Sequence, residues 1–436
     1  MARLKTLSKV KFLSELHQIF GFESEDELEK YKARLFPIGK TTDENQTTSI
    51  FLSTLSAVKE FREDLLLQIG VKKITNRNMS LHTYIEIPSI NKEDRPDGLI
   101  VLTSGLHNPV VVWVALVESK IGNMDIQSEQ IDRYIQLGKE LEINNIITLS
   151  NQLVSSPFET PAENINKKYK FNLFHWSWIS LHVTAGRLLN CDGGVEDEDH
   201  VYILNEFRRY LKSHSGIKNY TGMEKNWKDI TIDFMEKSNK TLVDEIIKSY
   251  KQEEKDICLH LTEDTGYYVK LKLASKLREV LMKETLEKNK TICSPFYLDG
   301  DINASFVLEI NFITRKISCL TRCKITDNNI KAKAQTTRLL NCFMTDITSE
   351  DEIIIGAIYP KRSSLNSDYA TLSQLLNDKE EGFYRIVNKD YGDTIKEFEI
   401  KITDDLGKDF HRPQVIVSRL ENLAKVFLEK VVLVVN

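Results

Sequence analysis

Two carboxylates and one lysine carry the chemistry that this sequence offers. Glu118 and Lys120 flank Ser119 just after VVVWVALV, residues 110–117, and Asp97 stands at the head of a second apolar run, residues 98–103. Successive side chains on a strand alternate faces, so Glu118 and Lys120 point the same way. The turn-rich SGLHNP, residues 104–109, joins the two runs as a hairpin. A hairpin brings Asp97, at the edge of the partner strand, to the same spot. Two carboxylates about 4 Å apart repel by about 4 kcal/mol at an effective dielectric of about 20. Burial at the end of a strongly apolar strand makes this worse. A hard divalent cation offsets the repulsion, and Mg²⁺ uses one or two carboxylates together with waters and phosphate oxygens. A lysine beside the cluster orients an attacking water and stabilises developing negative charge. Together these parts suit hydrolysis of a phosphodiester.

The elements that must hold these groups are legible around them. The run 110–117 is β-branched and apolar almost throughout, the mark of a central strand buried on both faces. An amphipathic helix over roughly 126–142 follows, with Ile131, Tyr134, Ile135, Gly138 and Leu141 at helical spacing. IITLS then reads as a strand over 145–150, which predicts a βαβ unit with parallel strands and a right-handed crossover. SLHTYIEIP, residues 80–88, alternates as a strand beside the one carrying Asp97. Its Glu86 is a candidate metal ligand, and His82 on the same face has the weaker claim of a lone strand histidine. Residues 49–69 read as one strong helix, while PIGKTTDENQTT, residues 37–48, reads as a polar turn. Gly39-Lys40-Thr41 lacks the upstream glycine and strand of a phosphate-binding loop.

Pro96-Asp97 with Glu118-Ser119-Lys120 resembles the active-site core of the PD-(D/E)XK nuclease superfamily. Gln130-Ile131-Asp132-Arg133-Tyr134 resembles the Gln-x-x-x-Tyr element of a subset of it. The likeness covers about a quarter of the chain. It implies metal coordination by Asp97 and Glu118, with Ser119 lending its backbone carbonyl. It implies that Lys120 activates water or stabilises charge, and that Gln130 and Tyr134 support the site or contact DNA. Nuclease folds of this type open with a helix that contributes a carboxylate, which makes Glu60 a candidate ligand. The implied cofactor is Mg²⁺, with Mn²⁺ as the alternative ion. Arg95 and Lys92 would flank the entrance, and Lys167 and Lys168, beside Tyr169, suit a strand-contacting loop.

The whole chain bounds this reading. Its 436 residues allow two or three domains, and 59 Lys+Arg against 64 Asp+Glu exclude a globally basic nucleic-acid coat. DNA would have to be held by a local basic patch or through metal. The six cysteines lack zinc spacing and are expected to be reduced core thiols. No stretch approaches a membrane span, and the N-terminus lacks an apolar signal core, so a cytoplasmic location is expected.

The expected architecture is a restriction-endonuclease-like α/β core, a mixed sheet flanked by helices, plus a C-terminal α+β, mostly antiparallel β domain. The divisions are an N-terminal helical segment at 1–45, the nuclease-like domain at 46–214, a connector at 215–255 and the β-rich domain at 256–436, ending in a helix from Pro413. In that last domain, ICLHLT, GYYVKLKLA, NASFVLEINF, KISCLTRCKI, KAKAQTTRLL, EIIIGAIYP and EFEIKITDD read as strands. Arg315, Lys316, Arg322, Lys324, Lys331, Lys333 and Arg338 would then offer a basic face. The functional expectation is a metal-dependent nuclease acting on DNA, with RNA left open, as a homo-oligomer with a dimer favoured. Genome defence enters by analogy only. The alternative is an inactive module of the same fold that binds nucleic acid or a protein partner.

Overall fold

A computed structural model describes residues 6–35, 43–72, 74, 78–88, 95–162, 165, 170–191, 193–217, 222–223, 226–237, 239–299, 303–324, 330–343, 353–360 and 368–436. Lys92, Lys167 and Lys168 lie outside them. The chain forms two compact units, Met1–Asn219 and Tyr220–Asn436.

The first unit is built on a five-stranded sheet whose order follows the chain: β1 (Met79–Ile85), β2 (Gly98–Ser104), β3 (Val110–Ser119), β4 (Asn145–Ser150) and β5 (Asn172–Ser177). β1, β2 and β3 pair antiparallel, and β3, β4 and β5 pair parallel. The parallel βαβ unit over β3 and β4 therefore forms as its patterning predicts. Both faces of β3 are covered from Val114 onward, whereas Val112 is exposed. Ala115 and Val117 join one core with Phe51, Phe61, Trp176, Trp178 and Phe207, while Val114 and Leu116 join the other with Tyr84, Ile131, Tyr134 and Ile135.

Near the N-terminus, the predicted helix is instead a pair of 3₁₀ turns (Leu7–Lys9 and Leu13–Ile19) and the short α1 (Glu25–Glu29). This segment lies along the sheet, bridging Phe12 to Val110 and Lys32 to Tyr84. Sheet contacts replace the hydrogen bonds that a longer helix would make.

The helix expected at 49–69 is two. α2 (Asp43–Ala57) starts earlier, and α3 (Lys59–Gln68) follows a break at Val58, whose backbone is extended. α4 (Ser128–Leu141) caps with Glu142 in the left-handed conformation, φ +62°. Gly138 belongs there because a Cβ would lie 2.5 Å from the Ile143 carbonyl oxygen. α5 (Trp178–Asn190) and α6 (Glu198–Ser213) cover the same face as α2 and α3.

The second unit is a seven-stranded antiparallel sheet. Its strands are β6 (Val269–Leu271), β7 (Thr291–Leu298), β8 (Ser305–Asn311), β9 (Lys316–Cys323), β10 (Ile354–Ile358), β11 (Tyr369–Thr371) and β12 (Glu397–Asp405), in the order β11-β10-β12-β9-β8-β7-β6. Around it lie α7 (Trp227–Glu236), α8 (Lys240–Thr265), α9 (Ser275–Asn289), α10 (Ala332–Cys342), α11 (Leu372–Glu381) and α12 (Pro413–Phe427).

Several expectations are corrected here. The supposed connector is no linker: Val243, Ile246, Ile247 and Tyr250 of α8 are buried in this unit's core. ICLHLT belongs to α8 and KAKAQTTRLL to α10, so the supposed basic face is not one sheet face. Two of its members are paired, Arg322 with Glu399 at 2.8 Å and Lys316 with Asp405 at 3.2 Å. No helix among the described residues is long and apolar enough to cross a membrane.

Candidate active site

The site begins with the register of the β2–β3 hairpin. Gly98 pairs with Val117, so Asp97, one residue earlier, faces Glu118, one residue later. The Asp97 Oδ2 atom accepts the Ser119 N–H at 2.7 Å. Alternation along β3 sends Glu118 toward α4 and Ser119 toward α2. The Ser119 hydroxyl accordingly meets Thr48 of α2 at 2.5 Å.

Lys120 follows at the strand end, and its backbone is held on two sides. Its N–H donates to the Leu149 carbonyl at 2.8 Å, and its own carbonyl accepts the Trp178 indole N–H at 2.8 Å. From that anchor the Nζ atom lies 2.7 Å from Glu118 Oε1, 3.2 Å from Glu44 Oε1 and 3.9 Å from Asp97 Oδ2. It also donates to the Ser119 carbonyl at 2.8 Å.

α2 reaches the strand end because residues four apart share a helix face. Glu44, Thr48 and Leu52 form that row, meeting Lys120, Ser119 and Gly98 in turn. Gly98 permits the approach: a Cβ there would lie 2.7 Å from Leu52 Cδ1 and 3.1 Å from Val117 Cβ. The glycine after Asp97 thus lets the helix carrying the third carboxylate close on the hairpin.

The electrostatics follow from three carboxylates around one ammonium. Burial first, and then the Glu118 carboxylate, push Asp97 up to about 8, against the pull of Lys120 and the Ser119 N–H. Burial works against the charge on Lys120, but Glu118, Asp97 and Glu44 together outweigh it and raise its pKa, so its charge is held. Tyr134 of α4 is 5 % exposed, and its hydroxyl donates to the Arg95 carbonyl at 3.2 Å. Burial, then Asp97 and Glu118, raise its pKa well above the ordinary phenol value.

Two buried oxygens, Glu118 Oε1 and Glu44 Oε2, accept no hydrogen bond. Glu118 Oε1 is near Lys120 Nζ, yet the two are not aligned for one. Carboxylate oxygens are the hard donors that Mg²⁺ and Mn²⁺ take, but Asp97, Glu118 and Glu44 do not bring one oxygen each within 4.8 Å of one another; each faces Lys120 Nζ instead.

Of the residues singled out from sequence, Asp97, Glu118, Ser119, Lys120 and Tyr134 come together. Three others, Glu60, Glu86 and Gln130, make no side-chain hydrogen bond or ion pair with this cluster among the described residues. Glu60 lies on α3 and pairs with His200 at 2.8 Å, so Glu44 stands where Glu60 was sought. Glu86 sits just past β1 with φ +46°; its N–H faces the Asp97 carbonyl at 3.4 Å, and its carboxylate makes no hydrogen bond or ion pair among the described residues. Gln130 is half-buried on α4 without a hydrogen bond among the described residues. The Ser119 carbonyl is already engaged by Lys120. Tyr134, expected to support the site or contact DNA, is 5 % exposed beside Asp97 and Glu118. Arg95 is exposed beside the cluster. His82 is hydrogen-bonded to Thr103 at 3.2 Å.

The signal that could have found Glu44 is Asp43-Glu44 itself, since acidic residues favour a helix's first turn. The chain matches no protein-family model, no curated protein and no solved structure.

Proposed function

We propose that the first unit is a metal-dependent nuclease of the PD-(D/E)XK kind, hydrolysing phosphodiester bonds of DNA. The observation that carries the reading is the set of Asp97, Glu118 and Glu44 around Lys120, with two buried carboxylate oxygens that accept no hydrogen bond. An inactive module has no use for such repulsion. Asp97, Glu118 and Glu44 are the residues that would hold Mg²⁺ or Mn²⁺. When bound, such an ion polarises a phosphoryl oxygen and lowers the pKa of a water.

The chain's own residues divide the remaining work. Lys120 keeps its proton, so it donates to the attacking water and to the phosphate oxygens as their charge grows, and it does not act as the base. Trp178 and Leu149 fix its backbone. Tyr134 stays protonated and, by donating to the Arg95 carbonyl, steadies the chain that leads into Asp97. Thr48 fixes Ser119, whose N–H holds Asp97. Arg95 is the exposed cation nearest the entrance for a phosphate backbone.

The test is cleavage of supercoiled plasmid, linear duplex and circular single-stranded DNA by purified protein. Cutting is expected with Mg²⁺ or Mn²⁺ and none with EDTA. Lys120→Ala is expected to lower the rate by about 100-fold or more. Cleavage that persists in EDTA, or a fully active Lys120→Ala protein, defeats the proposal.

A further inference from the structure

A second charged cluster lies wholly within the second unit. α8 carries Asp256 and His260 one turn apart, and Glu421 of α12 meets them, with one ligand atom of each residue within 4.8 Å of the other two. Asp256 is 2 % exposed, and its Oδ2 atom lies 3.5 Å from His260 Nε2. A Glu421 carboxylate oxygen lies within 4.8 Å of both.

One turn beyond His260 and Glu421, the same two helices set a contrast. There Asp264 pairs with Lys425 at 2.9 Å, an ordinary interhelical ion pair. Asp256 faces a second carboxylate instead, and among the described residues its one ion-pair partner is His260. Two carboxylates this close, one of them buried, are costly unless a cation or a proton is shared between them.

We propose that Asp256, His260 and Glu421 form a divalent transition-metal site that joins α12 to α8, with Zn²⁺ as the ion best suited. One imidazole nitrogen with two carboxylate oxygens is a mixed donor set that Zn²⁺ accepts and Mg²⁺ does not favour. Zn²⁺ ligands stand about 2.0–2.2 Å from the ion, so the three atoms must draw together. His260 can move, because its side chain is 51 % exposed, and the same exposure gives the ion its entry. The site would tie residues far apart in sequence and fix the last long helix on the core. It is distinct from the cluster around Lys120, whose donors are all oxygen.

The experiment uses full-length protein carrying Asp97→Asn and Glu118→Gln, so that the first cluster does not contribute, and Zn²⁺ itself as the probe. Titration against a chromophoric chelator is expected to give one Zn²⁺ per chain and a higher Tm. His260→Asn, at a half-exposed position, is expected to weaken that binding at least tenfold while leaving the metal-free Tm in place, and Glu421→Gln should weaken it similarly. In the otherwise wild-type chain the same two substitutions should remove one equivalent of Zn²⁺, which covers a failure of the background to fold. Millimolar Mg²⁺ should not displace the ion. Unchanged Zn²⁺ affinity in both variants, or no binding at micromolar Zn²⁺, overturns the proposal.

Discussion

Asp97→Asn should make the metal-free protein more stable in alkaline buffer while removing its metal response. In the folded chain the Asp97 carboxyl is raised from an ordinary 3.8 to about 8 by burial and by Glu118. Over that window the folded state binds more protons than the unfolded state, so stability must fall as pH rises. The sign is opposite to that of a salt-bridged aspartate. The interval corresponds to on the order of 5 kcal/mol between the two protonation states. Asp97 shares the cost with Glu118, and its side chain keeps 16 % exposure, so about 2–3 kcal/mol is the expected gain for asparagine at pH 9. The amide oxygen can still accept the Ser119 N–H. Urea unfolding in EDTA at pH 5 and pH 9 measures it: wild type should lose stability between the two, and the variant should lose less. Excess Mg²⁺ should reverse the order, because it stabilises only a chain that binds it. A variant that follows wild type at both pH values, with and without Mg²⁺, refutes the buried like-charge cluster.

The first helix supplies the next comparison. Glu44→Gln should raise the Mg²⁺ concentration needed for half-maximal cleavage, whereas Glu60→Gln removes a half-exposed contact with His200 and should leave it unchanged. Gly98→Ala places a methyl 2.7 Å from Leu52 Cδ1 and should cost about 1–3 kcal/mol by denaturant unfolding. Part of that should return when Leu52→Val is added, and strictly additive effects would disprove the contact. Trp178→Phe leaves the Lys120 carbonyl without its indole donor. It should cost about 1–3 kcal/mol and lower the cleavage rate without altering the metal requirement, as read from Mg²⁺ titrations of rate.

Where hydrophobic runs were long, the sequence was a good guide. β3 is apolar for eight residues and then charged, so both the central strand and the chemical end of it could be read. Glu44 was hidden because DENQTT looks like a turn, yet the helix there buries Thr47, Thr48 and Ser49. Those hydroxyls are satisfied by Tyr210, Ser119 and Arg34, partners that no local pattern reveals. KAKAQTTRLL alternates at period two, but its buried residues are Ala332, Gln335, Thr336, Leu339 and Leu340, a helical stripe. ICLHLT misled in the same way inside a 26-residue helix. TICSPFYL is not among the expected strands, yet it forms β7, with Pro295 in a strand interior that ordinarily disfavours proline. Its carbonyl still accepts the Lys272 N–H, so the edge pairing survives without the proline donor.

The attachment of Lys120 to both Leu149 and Trp178 bears on how such an enzyme would fail when heated. A catalytic tip on a free loop can lose its aim while the body stays folded. Here the aim is inherited from a parallel strand and an interior tryptophan, so inactivation and global melting ought to share one temperature.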